Sequence, residues 1–463
     1  MKTKQLTVTA SLACVLAFTF LARAQPGSLD ITFNPGSGAS AAVTCMALQT
    51  NGQIVIGGAF TTFNGANQKY VTRLNTDGSI DGTFGVVEAG NNVQALALQA
   101  DGKILIGGAF AGVNGLQFPQ HVARLRYDGS VDTSFNPGIT DTNNPSIQRG
   151  YVFAVAVQND GKVLIGGNFF YRNSTIINNA ARFSTNGTLD ATFNAGGGGA
   201  PFNVYAMGLQ SNGQLIMGLQ YGNNLERLNT DGSVDSNFLA TVTGGTVYSI
   251  AVLTNDMLMI GGDFTSINGY SRQGIARLNA DGSVDTTFNP GTGANNTVRC
   301  VAIQADGKVL VAGYFSSING IKRNGIARLQ ANGTVDGGFN PGCGVNTPNC
   351  FPILCMVPQS DGKTLFGGQF TQFNGTNINY IARLNGDTSS TTNLQFMSPQ
   401  LYFGMNLSGV VSNSYRIEYT SKFNTPSLWT PLFNVMLQTN PQFIFDPNPA
   451  EGQRFYRAVQ VSP

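Results

Sequence analysis

From residue 28 to residue 387 the chain alternates short apolar runs with polar turns. Residues 93–135 show the pattern. Val93–Gln99 is a first apolar-alternating run, interrupted by Ala100-Asp101-Gly102. Lys103–Phe110 is a second run, followed by a longer polar stretch, Ala111–Pro119, centred on Asn114-Gly115. His121–Arg126 is a third, and Tyr127-Asp128-Gly129 turns the chain into a fourth, Ser130–Phe135. Runs of this length bounded by Asp-Gly and Asn-Gly read as β-strands joined by tight turns. Both Asp-Gly turns fit a three-residue hairpin loop whose last residue is a left-handed glycine.

The whole unit then recurs. Its Leu-Asp-x-x-Phe phrase places an Asp at 30, 81, 132, 190, 235, 285 and 336. A period of roughly fifty residues with four strand-like runs is the signature of a propeller blade. The expected fold is therefore all-β, a seven-bladed β-propeller over residues 25–387. The repeat is out of phase at its ends. Leu29–Phe33 is a fourth run without a blade, and the seventh unit stops after its third run, Ile381–Asn385. The N-terminal strand is thus expected to complete the last blade, close the ring and remove the sheet edge that an open array leaves exposed.

The hairpin register places an Arg opposite each of these Asp residues. The pairs are Arg73–Asp81, Arg124–Asp132, Arg182–Asp190, Arg227–Asp235, Arg277–Asp285 and Arg328–Asp336, with Arg383–Asp30 across the closure. An Arg and Asp repeated in every unit read as cross-strand ion pairs, structural rather than catalytic. The Gly-Gly-x-Phe phrase reads similarly: Gly107-Gly108 permit close backbone approach and Phe110 fills the space between blades. The fourth unit departs, with Ile216-Met217-Gly218-Leu219-Gln220-Tyr221 in place of that phrase and a shorter following loop. A thinner or distorted blade is expected there.

These recurring phrases resemble the delta-60 repeat family, a bacterial β-propeller-type repeat of secreted proteins, over residues 28–387. The resemblance implies propeller architecture. It brings no catalytic residues to carry over.

The ends of the chain read differently. Lys2 and Lys4 precede an apolar stretch, Leu6–Leu21, and Ala22-Arg23-Ala24 has the small-x-small form of a cleavage site. Residues 1–24 are expected to be a signal peptide, cleaved near Ala24, and the protein to be secreted or held at the cell surface. A lipoprotein anchor on Cys14, inside the apolar run, is disfavoured. Residues 388–463 open on a polar linker and carry strand-like runs such as Ser414–Thr420, and a small β-sandwich-like module is expected. Trp429 there is assigned to the core rather than to a sugar platform.

Composition narrows the function classes. Only 11% of residues are charged and the formal net charge is +2, so the clustered Lys and Arg of a nucleic-acid binder are missing. No stretch after the leader is apolar and long enough to span a membrane. Cys45, Cys300 and Cys355 share one repeat slot that Ala95, Ala154, Ala206 and Ser249 fill elsewhere, as small buried strand residues would. Cys343 and Cys350 lie in one loop, and export makes a local disulfide between them plausible. The single His, His121, supplies no recurring general base, and neither a Gly-x-Ser-x-Gly elbow nor a His-Glu-x-x-His motif occurs. Asn75-x-Asp77-Gly78-Ser79-x-Asp81 resembles a calcium loop but lacks its acidic first ligand and its late Glu. No cofactor and no metal are expected.

Geometry sends the short Asp-Gly turns to one end of the propeller and the longer connections to the other, where variable loops serve binding. The third repeat has the longest pair of loops. Arg149, Tyr151, Tyr171 and Arg172 on them are the candidate ligand-contacting residues. The expectation is an exported, monomeric binding protein presenting this face to an extracellular glycan or protein. A secreted polysaccharide hydrolase or lyase and a structural surface protein are the competing readings.

Overall fold

The computed structural model describes residues 25–117, 121–137, 150–173, 175–193, 200, 202–221, 224–345 and 352–387. In the tail it describes 404–407, 414–420, 429–436, 438, 442–445 and 455–461. Contacts divide the chain into two units, one spanning residues 23–389 and the other containing residues 390–463.

In the larger unit every repeat builds an antiparallel sheet of the expected order. In the second blade the inner strand Val93–Leu98 pairs with Ile104–Gly108, which pairs with Val122–Leu125. The inner strands of the other blades are Val43–Leu48, Tyr151–Val157, Val204–Leu209, Val247–Val252, Val298–Ile303 and Ile353–Pro358. Each packs against the inner strand of the next blade, and the seventh packs against the first. Seven blades are therefore arranged about one axis lined by inner strands. Among the described residues no helix is long and apolar enough to cross a membrane.

The fourth strand is shorter than its sequence suggests. Outside the first blade, which adds the two-residue strand Val87–Glu88 to its sheet, each sheet has three strands, and the fourth run contributes an isolated bridge such as Leu125–Val131 or Leu278–Val284. The Asp that follows explains the truncation. Its carboxylate accepts the N–H two residues on, as Thr83 N–H donates to Asp81 at 2.9 Å, and Phe84 N–H returns to the Asp81 carbonyl. This Asx turn competes with the ladder and swings the next Phe into the crevice beneath the turn. Phe135, Phe288 and Phe339 reach it almost completely buried.

The Gly-Gly-x-Phe phrase packs the blades. A Cβ on Gly57 would stand 2.7 Å from Cys45 Sγ and 2.8 Å from Val93 of the next blade, and one on Gly58 would collide with the Ala42 carbonyl. Phe60, Phe110, Phe264, Phe315 and Phe370 are fully buried. Burying such a ring contributes about 1.5–3 kcal/mol. In the fourth blade Leu219 takes a buried place and Tyr221 is 61% exposed, while Leu219 N–H bonds Asn224 across the shortened connection. The longer connections carry a further small hairpin, as Thr62–Phe63 pairs with Ala66–Asn67 around Asn64-Gly65. Both tip residues have positive φ, 47° and 76°, which an Asn-Gly pair tolerates.

Each repeated Arg joins two blades. Arg73 Nε lies 2.7 Å from Asp81 in its own blade, its Nη1 donates at 2.6 Å to the Tyr127 carbonyl of the next, and its guanidinium lies 4.9 Å from the Phe84 ring centre. Arg124, Arg182, Arg227 and Arg277 repeat this set against Asp132, Asp190, Asp235 and Asp285. Arg328 pairs with Asp336 and turns to the Asp387 side chain of the seventh blade. Arg383 Nε is 2.7 Å from Asp30, 353 residues away in sequence, and its Nη1 reaches the Thr76 carbonyl. Beside it Leu29 bridges Leu384 and Asp30 N–H donates to the Arg383 carbonyl at 2.8 Å.

In the tail, Ser414–Thr420 is the middle strand of a three-stranded antiparallel sheet between Thr430–Met436 and Phe455–Val461. Gly404–Leu407 pairs with Gln442–Phe445. Tyr415 and Ile417 are buried against Leu432, Phe433, Val435 and Ala458, and Trp429 is half-buried.

Candidate functional site

All seven inner strands carry a β-bulge at the same place. The register skips one residue between Val43 and Cys45, Val93 and Ala95, Val152 and Ala154, Val204 and Ala206, Val247 and Ser249, Val298 and Cys300, and Ile353 and Cys355. A bulge leaves its extra residue out of the ladder and re-aims the side chain. The skipped residues are Thr44, Gln94, Phe153, Tyr205, Tyr248, Arg299 and Leu354, each half-buried. They lie at the strand starts, next to the blade-to-blade connections, and so ring the axis at its loop-bearing end.

Neighbouring members of this ring touch. Phe153 and Tyr205 stack with centroids 5.0 Å apart and planes 14° from parallel. Tyr205 meets Tyr248 edge-on at 5.3 Å. The Arg299 guanidinium carbon lies 4.2 Å from the Tyr248 ring centre. Tyr151, two residues before the bulge, stacks on Phe153 at 5.9 Å and within 5° of parallel, and is 43% exposed. Thr44 Oγ1 donates to the Val93 carbonyl at 2.6 Å. Around the aromatic arc stand amides and hydroxyls: Asn203, whose Nδ2 donates to Gln220 Oε1, Thr246, and Asn168, which pairs with Tyr151. Thr246 N–H donates to the Asp263 carboxylate at the end of the next strand. Burial raises the Tyr248 hydroxyl above its ordinary value, a hydrogen bond to Thr246 opposes it, and Asp263 adds to the rise.

Of the residues expected to contact a ligand, Tyr151 stands in this ring. Tyr171 and Arg172 lie on the backbone of a long hairpin, Val163–Asn173 paired with Thr175–Phe183, in register with Ile177 and Ile176. Arg149 and Cys350 lie outside the described residues, and Cys343 is exposed. Sequence reasoning passed over Phe153, Tyr205, Tyr248 and Arg299. A signal for them existed: the slot before the small Cys, Ala or Ser changes character from repeat to repeat, whereas its neighbours stay alike.

Elsewhere the clustered charged side chains are paired within the fold, although the buried Gln158 Oε1 has no hydrogen-bond partner. A cavity of about 520 Å³ opens at the short-turn end between the second and third blades, lined by Gln99, Asp101, Lys103, Arg124, Gln158 and Thr185 among others. Lys103 there is paired with Asp101, and Arg124 with Asp132 and the Thr185 carbonyl. Burial pushes the Cys45 thiol up to about 12 and Cys300 to about 11, which keeps both as inert thiols. His121 is buried with Nδ1 2.8 Å from the Phe110 carbonyl, and burial lowers its pKa. Among the described residues no group of three or more His, Cys, Asp or Glu is placed to hold a metal ion.

A family model described as "Domain of unknown function (DUF5122) beta-propeller" matches residues 49–84, 99–135, 158–193, 210–238, 255–288, 304–339 and 359–389, just over half of the chain. No curated relative matches the sequence. Among solved structures the chain is similar to the WD40 beta-propeller domain of Doa1, at 13% identity and a TM-score of 0.49, covering 78% of this chain and 96% of that one. It is also similar to a catalytically inactive virginiamycin B lyase from Staphylococcus aureus with quinupristin, at 14% identity and a TM-score of 0.46, covering 75% and 96%.

Proposed function

Since the chain belongs to the DUF5122 beta-propeller family, we propose its function from the axial ring: an exported, non-enzymatic protein that binds an extracellular glycan at the loop-bearing end of the propeller. The observation that carries this reading is the continuous arc Tyr151–Phe153–Tyr205–Tyr248, held by stacked and edge-on ring contacts and bordered by the amides of Asn168 and Asn203 and the hydroxyl of Thr246. A pyranose presents an apolar C–H face and a rim of hydroxyls, which match an aromatic ring and a set of amide donors and acceptors. The ring offers no general base beside a nucleophile, so binding rather than turnover is the chemistry it supports. Export rests on the charged, apolar and small-x-small pattern of residues 2–24.

The test is a glycan array probed with the chain from residue 25 onward, followed by calorimetry on any hit. Tyr151→Ala should weaken binding by at least about tenfold, as loss of an anchor ring does. A hit that survives Tyr151→Ala and Tyr205→Ala unchanged would place binding elsewhere. Capture of a protein partner with no glycan bound would refute the glycan reading.

A further inference from the structure

Arg299 differs from every other Arg whose side chain is described. The repeated Arg residues each hold an Asp, Arg126 reaches the Val131 carbonyl, Arg272 and Arg323 bond neighbouring carbonyls, and Arg416 pairs with Glu418. Arg299 has neither an ion pair nor a hydrogen bond among the described residues. Its guanidinium lies over the face of Tyr248 at 4.2 Å. It is half-buried in the axial ring, so its charge is partly removed from water without a compensating anion. A guanidinium lying on an aromatic face keeps its in-plane N–H groups free, and these match two oxygens of a carboxylate or sulfate. The acidic group at the same mouth, Asp263, is held by the Thr246 N–H and makes no ion pair with Arg299.

Tyr151 supplies the second half of the site. It ends the stack Tyr151–Phe153–Tyr205, and its 43% exposure leaves ring surface for a ligand. Stacking on Phe153 fixes that ring in advance and lowers the entropy cost of using it. Tyr151 and Arg299 lie on the third and sixth blades, across the axis from each other.

Resting on the glycan-binding reading above, we infer that the ligand is an acidic glycan, its carboxylate or sulfate received by Arg299 while a neighbouring sugar ring packs on Tyr151. The site would read charge through Arg299 and sugar shape through the aromatic arc.

The test measures binding of the chain from residue 25 onward by calorimetry with four probes: tetragalacturonate, its methyl ester, a chondroitin sulfate tetrasaccharide and mannotetraose. The methyl ester keeps the size and sugar faces of the acid and removes its charge. At least one acidic probe should bind about tenfold or more tightly than the neutral two, with an affinity that falls as salt rises. A carboxylate ligand is marked by a gain of tetragalacturonate over its methyl ester; because chondroitin sulfate carries both carboxylates and sulfates, a sulfate ligand is marked by a gain of that tetrasaccharide that tetragalacturonate does not share and that desulfation abolishes. Arg299→Gln should abolish the gap between the acidic probe that shows the gain and the neutral probes. Arg299→Lys should restore only part of it, because an ammonium lacks the planar fork. Binding of neither acidic probe above the neutral two, or a gap that persists in Arg299→Gln, overturns the acidic-ligand inference and leaves the glycan reading standing. Binding of no probe and no arrayed glycan overturns both. If Arg299→Gln fails to fold, the acid-to-ester comparison in the unmutated chain and the Lys variant still decide the matter.

Discussion

Replacing Arg73 by Ala tests whether the repeated Arg residues act as inter-blade clasps. The Arg73 side chain is 1% exposed and that of Asp81 is 6% exposed. The change removes the ion pair at 2.7 Å, the bond to the Tyr127 carbonyl and contacts with two rings, Phe84 at 4.9 Å and Tyr127 at 4.2 Å. Asp81 would keep only Gln53 and Thr83 as partners. Breaking a buried pair by deleting one member costs about 3–5 kcal/mol. An unfolding entropy of about 2.1 cal/mol/K per residue over roughly 360 propeller residues turns that into a fall in Tm of about 5 °C. Arg277, whose side chain is 14% exposed, makes the same set of bonds and should cost less, about 1–3 kcal/mol. The assay is thermal unfolding followed by circular dichroism for Arg73→Ala, Arg277→Ala and the double variant Arg73→Met with Asp81→Leu. The double variant should recover part of the loss, since it leaves no unpaired buried charge. Shifts near zero for Arg73→Ala, or a double variant less stable than Arg73→Ala, would refute the clasp argument.

Stability should also fall in acid. Burial pushes the Asp30 carboxyl up, but hydrogen bonds from Thr32, Lys363 and Arg383 more than offset it and hold it at about 2. Asp81, Asp132, Asp190 and Asp285 lie below their ordinary value by the same balance. A carboxyl depressed in the folded state stabilises above its unfolded pKa and loses that contribution as pH falls through the folded one, so the melting temperature should drop steeply below about pH 4. Asp30 alone accounts for about 2 kcal/mol of this; a flat profile from pH 5 to pH 2 would contradict it. His121, lowered mainly by burial, adds a loss that begins as pH falls below its ordinary value near 6.5, and His121→Asn should remove that part of the pH curve. Deleting residues 25–36 removes the strand opposite Leu384 and the partner of Arg383, and should cause aggregation or a large fall in Tm; an unchanged melt would show that the ring does not need it for closure. Once a ligand is in hand, Tyr151→Ala should weaken binding more than Tyr171→Ala with Arg172→Ala, and Lys162→Ala at the short-turn end should leave it unchanged.

The repeat itself was legible from sequence. A period-two apolar pattern cut by Asp-Gly turns fixes strands and hairpins locally, and the recurrence of Arg eight residues before Asp fixes register, because both depend on neighbours along the chain. The Gly-Gly-x-Phe packing was legible for the same reason: outside the fourth unit, similar blades face similar blades. The fourth run reads as a strand in sequence, yet the Asx turn at each Asp takes the backbone out of the ladder after a single bridge. The axial ring was not legible. Phe153, Tyr205, Tyr248 and Arg299 are separated by about fifty residues each and share no local motif. Their meeting requires both a bulge that turns one residue out of the inner strand and a closed set of inner strands that brings seven such residues around one axis. Local sequence sets the blade; the departures from the repeat acquire chemistry only when tertiary closure gathers them in one place.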